Sequence, residues 1–186
     1  EVSLPCMFAP VGRRNCDEAR IRGSESLLDV AARAGVAVHW RDNQSGCKGV
    51  CDGLSHDSVN PALAPGLCQG GRCLDEGLLR GLDERLRALH NGRGTQLLVL
   101  HMLGNHGPSY YRRYPPAFER FTPVCRNDDL GRCTREEIVN AYDNALLYTD
   151  HVLATLIGTL TAQAGDVDSA LLFVSDHGES LGEKNL

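Results

Sequence analysis

The sequence has no cluster of lysines and arginines and no long uninterrupted apolar run. Its formal net charge is −5, and Arg112 and Arg113 form a pair rather than a patch. Because nucleic-acid binding depends on concentrated positive charge, this composition argues against a DNA or RNA partner. No apolar run approaches the roughly 18–20 residues that a membrane-spanning helix needs. The chain begins at Glu1 without a signal peptide or an initiating Met, so we expect it to be a piece of a longer protein.

Cysteine, in contrast, is abundant, with eight residues in a chain of single-domain size. Six of them pair by proximity within short polar loops: Cys47 with Cys51, Cys68 with Cys73, and Cys125 with Cys133. This spacing favours disulfides and an oxidising compartment. A zinc site built from the thiolates of Cys47, Cys51, Cys68 and Cys73 is the competing interpretation. Cys6 and Cys16 remain, and they either pair with each other or leave Cys6 to bond a cysteine outside these residues.

Hydrophobic periodicity predicts helices that alternate with strands. Helices are expected at residues 24–34, 75–90 and 134–164, and buried strands at residues 36–40, 96–103 and 169–175. Thr134 and Glu137 have the spacing of a capping box at the start of the last helix. Residues 1–23, 41–74 and 104–133 are expected to be mainly loop. This order predicts an α/β fold, in which helices flank a mostly parallel central sheet.

Two of the predicted strands end in polar loops that contain histidine. His106 follows strand 96–103, and Asp176 and His177 follow strand 169–175. Parallel strands present their carboxyl ends at one edge of a sheet, so we expect the three side chains to share one cleft. Asp oxygen and His nitrogen are both good Zn²⁺ ligands. Taken alone, however, an Asp-His-Gly string or a loop histidine is more often structural.

Six segments of the chain together resemble one family. They lie at residues 2–8, 39–43, 104–108, 121–125, 140–147 and 174–183. In this order they are similar to the phosphoethanolamine transferases of Gram-negative bacteria, which modify lipid A and include the mobilised colistin-resistance enzymes. That family belongs to the alkaline phosphatase/sulfatase superfamily. The strings Ser-x-Pro-Cys-Met-Phe and Ser-Asp-His-Gly-Glu-Ser are the most specific of the six.

The resemblance implies a periplasmic catalytic domain with an alkaline phosphatase/sulfatase-like fold and disulfide-stapled loops. Transmembrane helices would precede this domain and anchor it in the bacterial inner membrane. Residues 1–186 would then be a partial domain, with the nucleophile segment and the C-terminal end outside them. The family also implies that Cys6 pairs with an upstream cysteine, which leaves Cys16 without a partner.

The resemblance further assigns roles to five residues. Asp176 and His177 would be two of the ligands of a catalytic Zn²⁺. His106 would be a catalytic histidine on the substrate side, and Ser45 and Lys48 would contact the phosphoethanolamine group. A Thr outside the chain would take this group from phosphatidylethanolamine as a phospho-threonine. Lipid A or another lipopolysaccharide acceptor would then receive it.

Two other functions stay open at this point. A sulfatase or phosphodiesterase of the same superfamily would share the metal site, although the sulfatase nucleophile motif Cys/Ser-x-Pro/Ala-x-Arg does not occur in this sequence. The other is a non-catalytic domain that keeps the fold and binds a lipid headgroup.

Overall fold

A parallel sheet forms the centre of the protein, described here by a computed structural model for residues 3–90 and 94–183. The strands of the described residues are β1 (Ala37–Asp42), β2 (Ser55–Ser58), β3 (Cys68–Gln69), β4 (Arg72–Cys73) and β5 (Gln96–His101). β1 lies between β2 and β5 and runs parallel to both. β3 and β4 form a separate antiparallel hairpin. The predicted α/β class with a mostly parallel sheet is confirmed.

Capping residues fix the ends of the helices that flank this sheet. The helices are α1 (Ser3–Phe8), α2 (Glu18–Arg22), α3 (Leu27–Arg33), α4 (Leu82–His90) and α5 (Arg135–Ala162). α3 begins with a capping box of Ser26 and Asp29, and α5 begins with the predicted one of Thr134 and Glu137. Gly35 ends α3 with a φ of 89°, a conformation that costs glycine little. The chain can therefore turn from α3 directly into β1.

Apolar side chains cover the two faces of the sheet separately. On one face Trp40 packs with Leu28 of α3, and Leu97 and Val99 of β5 join the same cluster. On the other face Leu98 and Leu100 of β5 pack against leucines of α4 and α5. Successive residues of a strand point to opposite faces, so β5 contributes to both clusters. Packing on both sides explains why residues 97–100 of β5 are continuously apolar.

α5 buries one face in the core of the domain. The buried residues on this face are Ile138, Ala141, Asn144, Ala145, Tyr148, Thr149, Val152 and Leu156. By length and hydropathy α5 is also apolar enough to cross a membrane, although polar residues interrupt its apolar sequence. Its polar side chains bind neighbouring loops: Asn144 bonds residues 120–121, and Thr149 donates to Asn105. We therefore describe α5 as a core helix of this domain.

All eight cysteines are in disulfides. The three predicted pairs, Cys47–Cys51, Cys68–Cys73 and Cys125–Cys133, are confirmed. The fourth bond joins Cys6 to Cys16, whose Cα atoms lie 5.8 Å apart. The implication that Cys6 pairs with an upstream cysteine and leaves Cys16 alone is therefore wrong in this structure. The turn between α1 and α2 brings the two residues within the range of a disulfide.

The predicted strand at residues 169–175 is absent. These residues pair with no strand of the described chain, and Leu172, Phe173 and Val174 are 87%, 55% and 57% exposed. Periodicity identifies a run that is able to form a strand. A strand also needs a neighbour whose backbone completes its hydrogen bonds, and a single-chain pattern does not contain that information.

Smaller differences from the predicted elements have local causes. Residues 1–23 contain α1 and α2, and the Asp17 side chain caps α2 by accepting from the Arg20 N–H. The predicted loop at 41–74 includes β2 and the β3–β4 hairpin. The predicted helix at 75–90 divides into a 3₁₀ turn, Asp75–Leu79, and α4, because Gly81 adopts a φ of 73° between them.

We expect Asn144→Leu to destabilise the protein by about 2–5 kcal/mol. The Asn144 side chain is fully buried; it accepts from the N–H groups of Arg120 and Phe121 and donates to the Phe121 carbonyl. Leucine leaves these backbone groups buried without partners. Urea unfolding measures the loss. The reciprocal exchange Leu146→Asn, at an exposed position of the same helix, is the control and should change stability by less than about 0.5 kcal/mol. Equal effects of the two exchanges would contradict this role.

Candidate active site

The loops that follow β1 and β5 meet at the carboxyl edge of the sheet. The parallel register pairs Asp42 with His101, the last residues of the two strands. Residues 43–48 continue from β1 and carry Ser45 and Lys48, whereas residues 102–109 continue from β5 and carry His106. The predicted placement of functional side chains at this edge therefore follows from the pairing of two strands.

Asp42 holds the loop after β1 in place. Its Oδ2 accepts from the N–H groups of Gln44 and Gly46, each at 3.0 Å, and its Oδ1 lies 2.6 Å from His101 Nδ1. Trp40 Nε1 is a further donor, at 3.3 Å. Burial raises the pKa of Asp42, but these hydrogen bonds outweigh burial and hold the pKa below its usual value. A buried anion thus organises the turn that presents Ser45.

The same turn brings Lys48 against Ser45. Lys48 Nζ donates to Ser45 Oγ at 2.9 Å, and the Lys48 backbone has a φ of 53°. The left-handed region is uncommon for a residue with a side chain and is often found where function requires a particular orientation. The Cys47–Cys51 disulfide closes the loop around this residue. An ammonium and a hydroxyl therefore stand together as hydrogen-bond donors, a combination that suits a phosphoryl oxygen.

Asp75 performs a corresponding role for the loop after β5. The buried carboxylate accepts from the Leu103 and Gly104 N–H groups, at 2.9 and 2.7 Å, and from Asn43 Nδ2 at 2.7 Å. Burial raises the pKa of Asp75, and the three donors oppose that change. Because Asn43 belongs to the loop after β1, one carboxylate connects the two loops of the site.

His106 is oriented by its own loop. Its Nδ1 lies 2.7 Å from the Gly107 carbonyl oxygen, and its own carbonyl accepts from Arg113 Nε at 2.8 Å. A carbonyl can only accept, so Nδ1 carries the proton in this contact. In the neutral ring the lone pair is then on Nε2. Nε2 is therefore the nitrogen that can take a proton from a reacting group.

Asp176 and His177 reach the same place from the other end of the chain. The rings of His106 and His177 are 5.8 Å apart, centre to centre, in an edge-to-face arrangement. Glu179 ties the two segments together, since its carboxylate accepts from the Gly107 N–H at 3.2 Å and from the Tyr110 hydroxyl at 3.1 Å. A Cβ at Gly107 would lie 2.6 Å from that hydroxyl oxygen, so the close approach requires glycine.

The five predicted site residues line one small cavity of about 50 Å³: Ser45, Lys48, His106, Asp176 and His177. The predicted common cleft of His106, Asp176 and His177 is therefore present, although residues 169–175 do not form the strand from which it was predicted. The catalytic, substrate-binding and metal-binding roles of these residues stay predictions.

Asp176 and His177 have the chemistry and spacing of two ligands of one metal ion. His177 Nε2 lies 3.7 Å from Asp176 Oδ2, and His177 Nδ1 lies 2.9 Å from the Gly178 carbonyl. That carbonyl places the neutral ring's lone pair on Nε2, as is usual for metal-binding histidines. Across residues 3–90 and 94–183, no three His, Cys, Asp or Glu side chains form a possible metal cluster. The described chain therefore fits Zn²⁺ as a partial set of ligands.

Reasoning from the sequence missed the supporting residues Asp42, Asp75, Arg113 and Glu179. Asp42 and Glu179 lay within the recognised segments 39–43 and 174–183, but no local pattern indicates the supporting role of any of the four residues. Asp75 is 28 residues from its partner Leu103, and Glu179 is 72 residues from Gly107. These pairings depend on tertiary contacts alone.

Replacing Asp42 with Asn should weaken the protein at neutral pH by about 1–3 kcal/mol, because the amide presents one acceptor oxygen instead of two. The pKa of Asp42 is lowered by folding, so its ionised form stabilises the protein above the unfolded pKa of about 3.9. That stabilisation is lost as the pH falls through the lower, folded value. Urea midpoints at pH 7 and below pH 4 should therefore differ less in Asp42→Asn than in the wild type. Asp150→Asn, at an exposed position, is the control; an unchanged acid dependence in Asp42→Asn would contradict the assignment.

Substituting Glu179 with Ala should release the Asp176–His177 segment from the His106 loop. Hydrogen bonds to a charged acceptor contribute about 1.5–3 kcal/mol, so amide exchange of Gly107 should accelerate roughly 10- to 100-fold. Hydrogen exchange with mass spectrometry measures this change. Ser180→Ala, in the adjacent exposed position, should leave the exchange of Gly107 as it is. Unaltered exchange in Glu179→Ala would show that the two segments are held by other contacts.

Comparisons with known proteins place the whole chain in one family. The family model described as Sulfatase matches residues 1–186. The phosphoethanolamine transferase EptA of Salmonella typhimurium is 42% identical over 185 residues, which are 100% of this chain and 33% of that protein. The chain thus spans about a third of the length of this curated relative.

Solved structures agree with that result. The integral membrane lipooligosaccharide phosphoethanolamine transferase A (EptA) of Neisseria meningitidis matches with a TM-score of 0.90 and 42% identity, over 100% of this chain and 34% of its own. The C-terminal periplasmic domain of EptC from Escherichia coli, in a complex with Zn, matches with a TM-score of 0.63 and 25% identity, over 86% and 44% of the two chains. The resemblance to phosphoethanolamine transferases seen in six sequence segments is confirmed, and the chain belongs to the sulfatase family.

Proposed function

We propose that this chain is the central part of the catalytic domain of a phosphoethanolamine transferase. In this proposal the domain lies in the periplasm, is anchored to the bacterial inner membrane by preceding helices, and transfers phosphoethanolamine from phosphatidylethanolamine to lipid A or another lipopolysaccharide acceptor. The observation that carries the proposal is the convergence of Ser45, Lys48, His106, Asp176 and His177 on one cavity. The similarity to EptA over the entire chain supports the same conclusion.

Asp176 and His177 are proposed to hold a catalytic Zn²⁺ together with ligands outside the described residues. A bound zinc ion offsets phosphoryl charge and lowers the pKa of a coordinated hydroxyl. The Zn complex of the related EptC domain supports this choice of metal. The arrangement of His177, with Nδ1 at a backbone carbonyl and Nε2 toward Asp176, suits the same role.

The other residues of the cavity act on the transferred group itself. Lys48 and Ser45 donate hydrogen bonds to the non-bridging phosphoryl oxygens, where negative charge accumulates in the transition state. His106 exchanges a proton through Nε2 with an attacking or leaving oxygen. The nucleophile is a Thr outside this chain: its oxygen bonds to phosphorus as the bond to diacylglycerol breaks, and the diacylglycerol oxygen leaves with a proton. The acceptor oxygen then bonds to phosphorus, and the Thr oxygen is released and protonated.

A hydrolase of the same superfamily is the second candidate, since the family model is that of sulfatases. The two functions differ in what accepts the phosphoryl group. A hydrolase passes it to water at a rate that does not depend on a glycolipid, whereas a transferase needs the acceptor for turnover. The release of ethanolamine phosphate with and without lipid A separates them.

In the full-length protein, Asp176→Ala should remove bound zinc and transferase activity together, because a site of this kind needs three protein ligands. His106→Ala should retain zinc and lose activity by about 10²- to 10⁴-fold if His106 transfers a proton. The measurements are metal analysis of the purified protein and mass spectrometry of lipid A from a polymyxin-sensitive host. Asp150→Ala is an exposed control. A full level of the phosphoethanolamine adduct with Asp176→Ala would refute the assignment of this residue as a catalytic metal ligand.

A further inference from the structure

A second, larger cavity of about 470 Å³ adjoins the small one and has no role in the proposed function so far. The two cavities share Gln44, Ser45 and His106 as a common wall. A volume of this size is sufficient for a small organic ligand. Two arginines line it: Arg72 from β4 and Arg113 from the loop after β5. A molecule bound there would therefore lie beside His106 and against both arginines.

Neither guanidinium has a carboxylate in contact within the described part of the chain. Arg113 donates through Nε to the neutral carbonyl of His106, and the Arg72 guanidinium makes no hydrogen bond or ion pair with described residues. Asp42 also lines the cavity, but its oxygens already accept from His101 and from two backbone N–H groups. Asp128 is close enough to act on both arginines through space, yet its contacts are with Ser109 and Arg112.

The fold holds these two like charges near each other. Arg72 lies in the β3–β4 hairpin, which the Cys68–Cys73 disulfide closes. Burial and the neighbouring Arg72 lower the pKa of Arg113, because each opposes its positive charge; Asp75, Asp128 and Glu179 act on it through space in the opposite direction but leave the pKa lowered. Repulsion of this kind costs free energy unless an anion enters between the groups. The cavity is thus preorganised for a ligand that brings negative charge.

We propose that this cavity binds a phosphate monoester of the acceptor, and that Arg72 and Arg113 are its anion-binding residues. The inference rests on the proposed function, since it names the acceptor's place in that reaction. Guanidinium groups match the geometry of phosphate oxygens and remain charged at all physiological pH values. A phosphate dianion is therefore the best complement to this pair.

The donor is a poor occupant of the same cavity. Its phosphoethanolamine headgroup ends in an ammonium group, which two nearby guanidinium groups repel. The acceptor carries no such cation, and its phosphate in the large cavity would border His106, where the transfer takes place. Electrostatics thus favours the acceptor phosphate over the donor headgroup in the large cavity.

Binding of glucose 1-phosphate, a simple sugar phosphate monoester, tests the site directly. Calorimetry on the full-length protein should show that Arg72→Gln weakens this binding about tenfold, which is the lower end for a lost charge-assisted hydrogen bond. Arg72→Lys keeps the charge and should retain most of the affinity. Arg33→Gln, on α3 and outside both cavities, should bind as the wild type does. Methyl glucoside, which lacks the phosphate, should bind weakly and equally to all four proteins.

Steady-state kinetics then connects the site to transfer. Arg72→Gln should raise the KM for a phosphorylated lipid A acceptor about tenfold and reduce the preference for it over a dephosphorylated acceptor. Unchanged glucose 1-phosphate binding and an unchanged acceptor KM in Arg72→Gln would overturn the inference, as would a rise in the donor KM instead. If phosphate binding depends on Arg72 but the wild type transfers no phosphoethanolamine, the proposed function fails and the anion site stands. If transfer occurs without any dependence on Arg72, the function stands and the anion site fails.

Discussion

The parallel pairing of β1 with β5 is the constraint on which the rest of the site depends. It sets Asp42 opposite His101 and sends both chain segments out at one edge of the sheet. Helices α3, α4 and α5 cover the two faces, so the strands cannot shift register without exposing leucines of β5 on one side or the other. This register therefore determines where the loops that follow β1 and β5 begin.

Buried and half-buried carboxylates hold the loops that follow the two strands in fixed conformations. Asp42 fixes the Ser45–Lys48 turn, Asp75 fixes the His106 loop and binds Asn43, and Glu179 attaches the Asp176–His177 segment to Gly107. Each accepts hydrogen bonds from backbone N–H groups that would otherwise lie in loops without regular partners. A carboxylate is suited to this task because its two oxygens can serve several donors at once. Burying a charged carboxylate in the protein interior costs free energy, and these hydrogen bonds offset that cost.

The side chains around the two cavities include three cations that are suited to binding phosphate. Lys48, Arg72 and Arg113 line the cavities, and so do the carboxylates of Asp42 and Asp176. Asp42 already accepts hydrogen bonds from His101 and from two backbone N–H groups, and Asp176 is a proposed metal ligand, so the three cations are the groups available to bind phosphate. The Cys47–Cys51 disulfide closes the loop that carries Lys48, and the Cys68–Cys73 disulfide closes the hairpin that carries Arg72. Both bonds restrict the motion of the backbone at these two cations. Such preorganisation reduces the cost of ordering that a ligand would otherwise meet.

The sequence by itself determined the α/β class, three of the four disulfides, the capped start of α5 and the edge at which the site lies. Periodicity, cysteine spacing and capping residues are local signals, and each was sufficient for its element. The sequence did not determine whether residues 169–175 form a strand, because a strand depends on its neighbour. Nor did it reveal Asp75, Glu179, or the approach of Arg72 to Arg113. These depend on contacts between residues far apart in the chain, and only the packing of β1, β5 and α5 decides which of them meet.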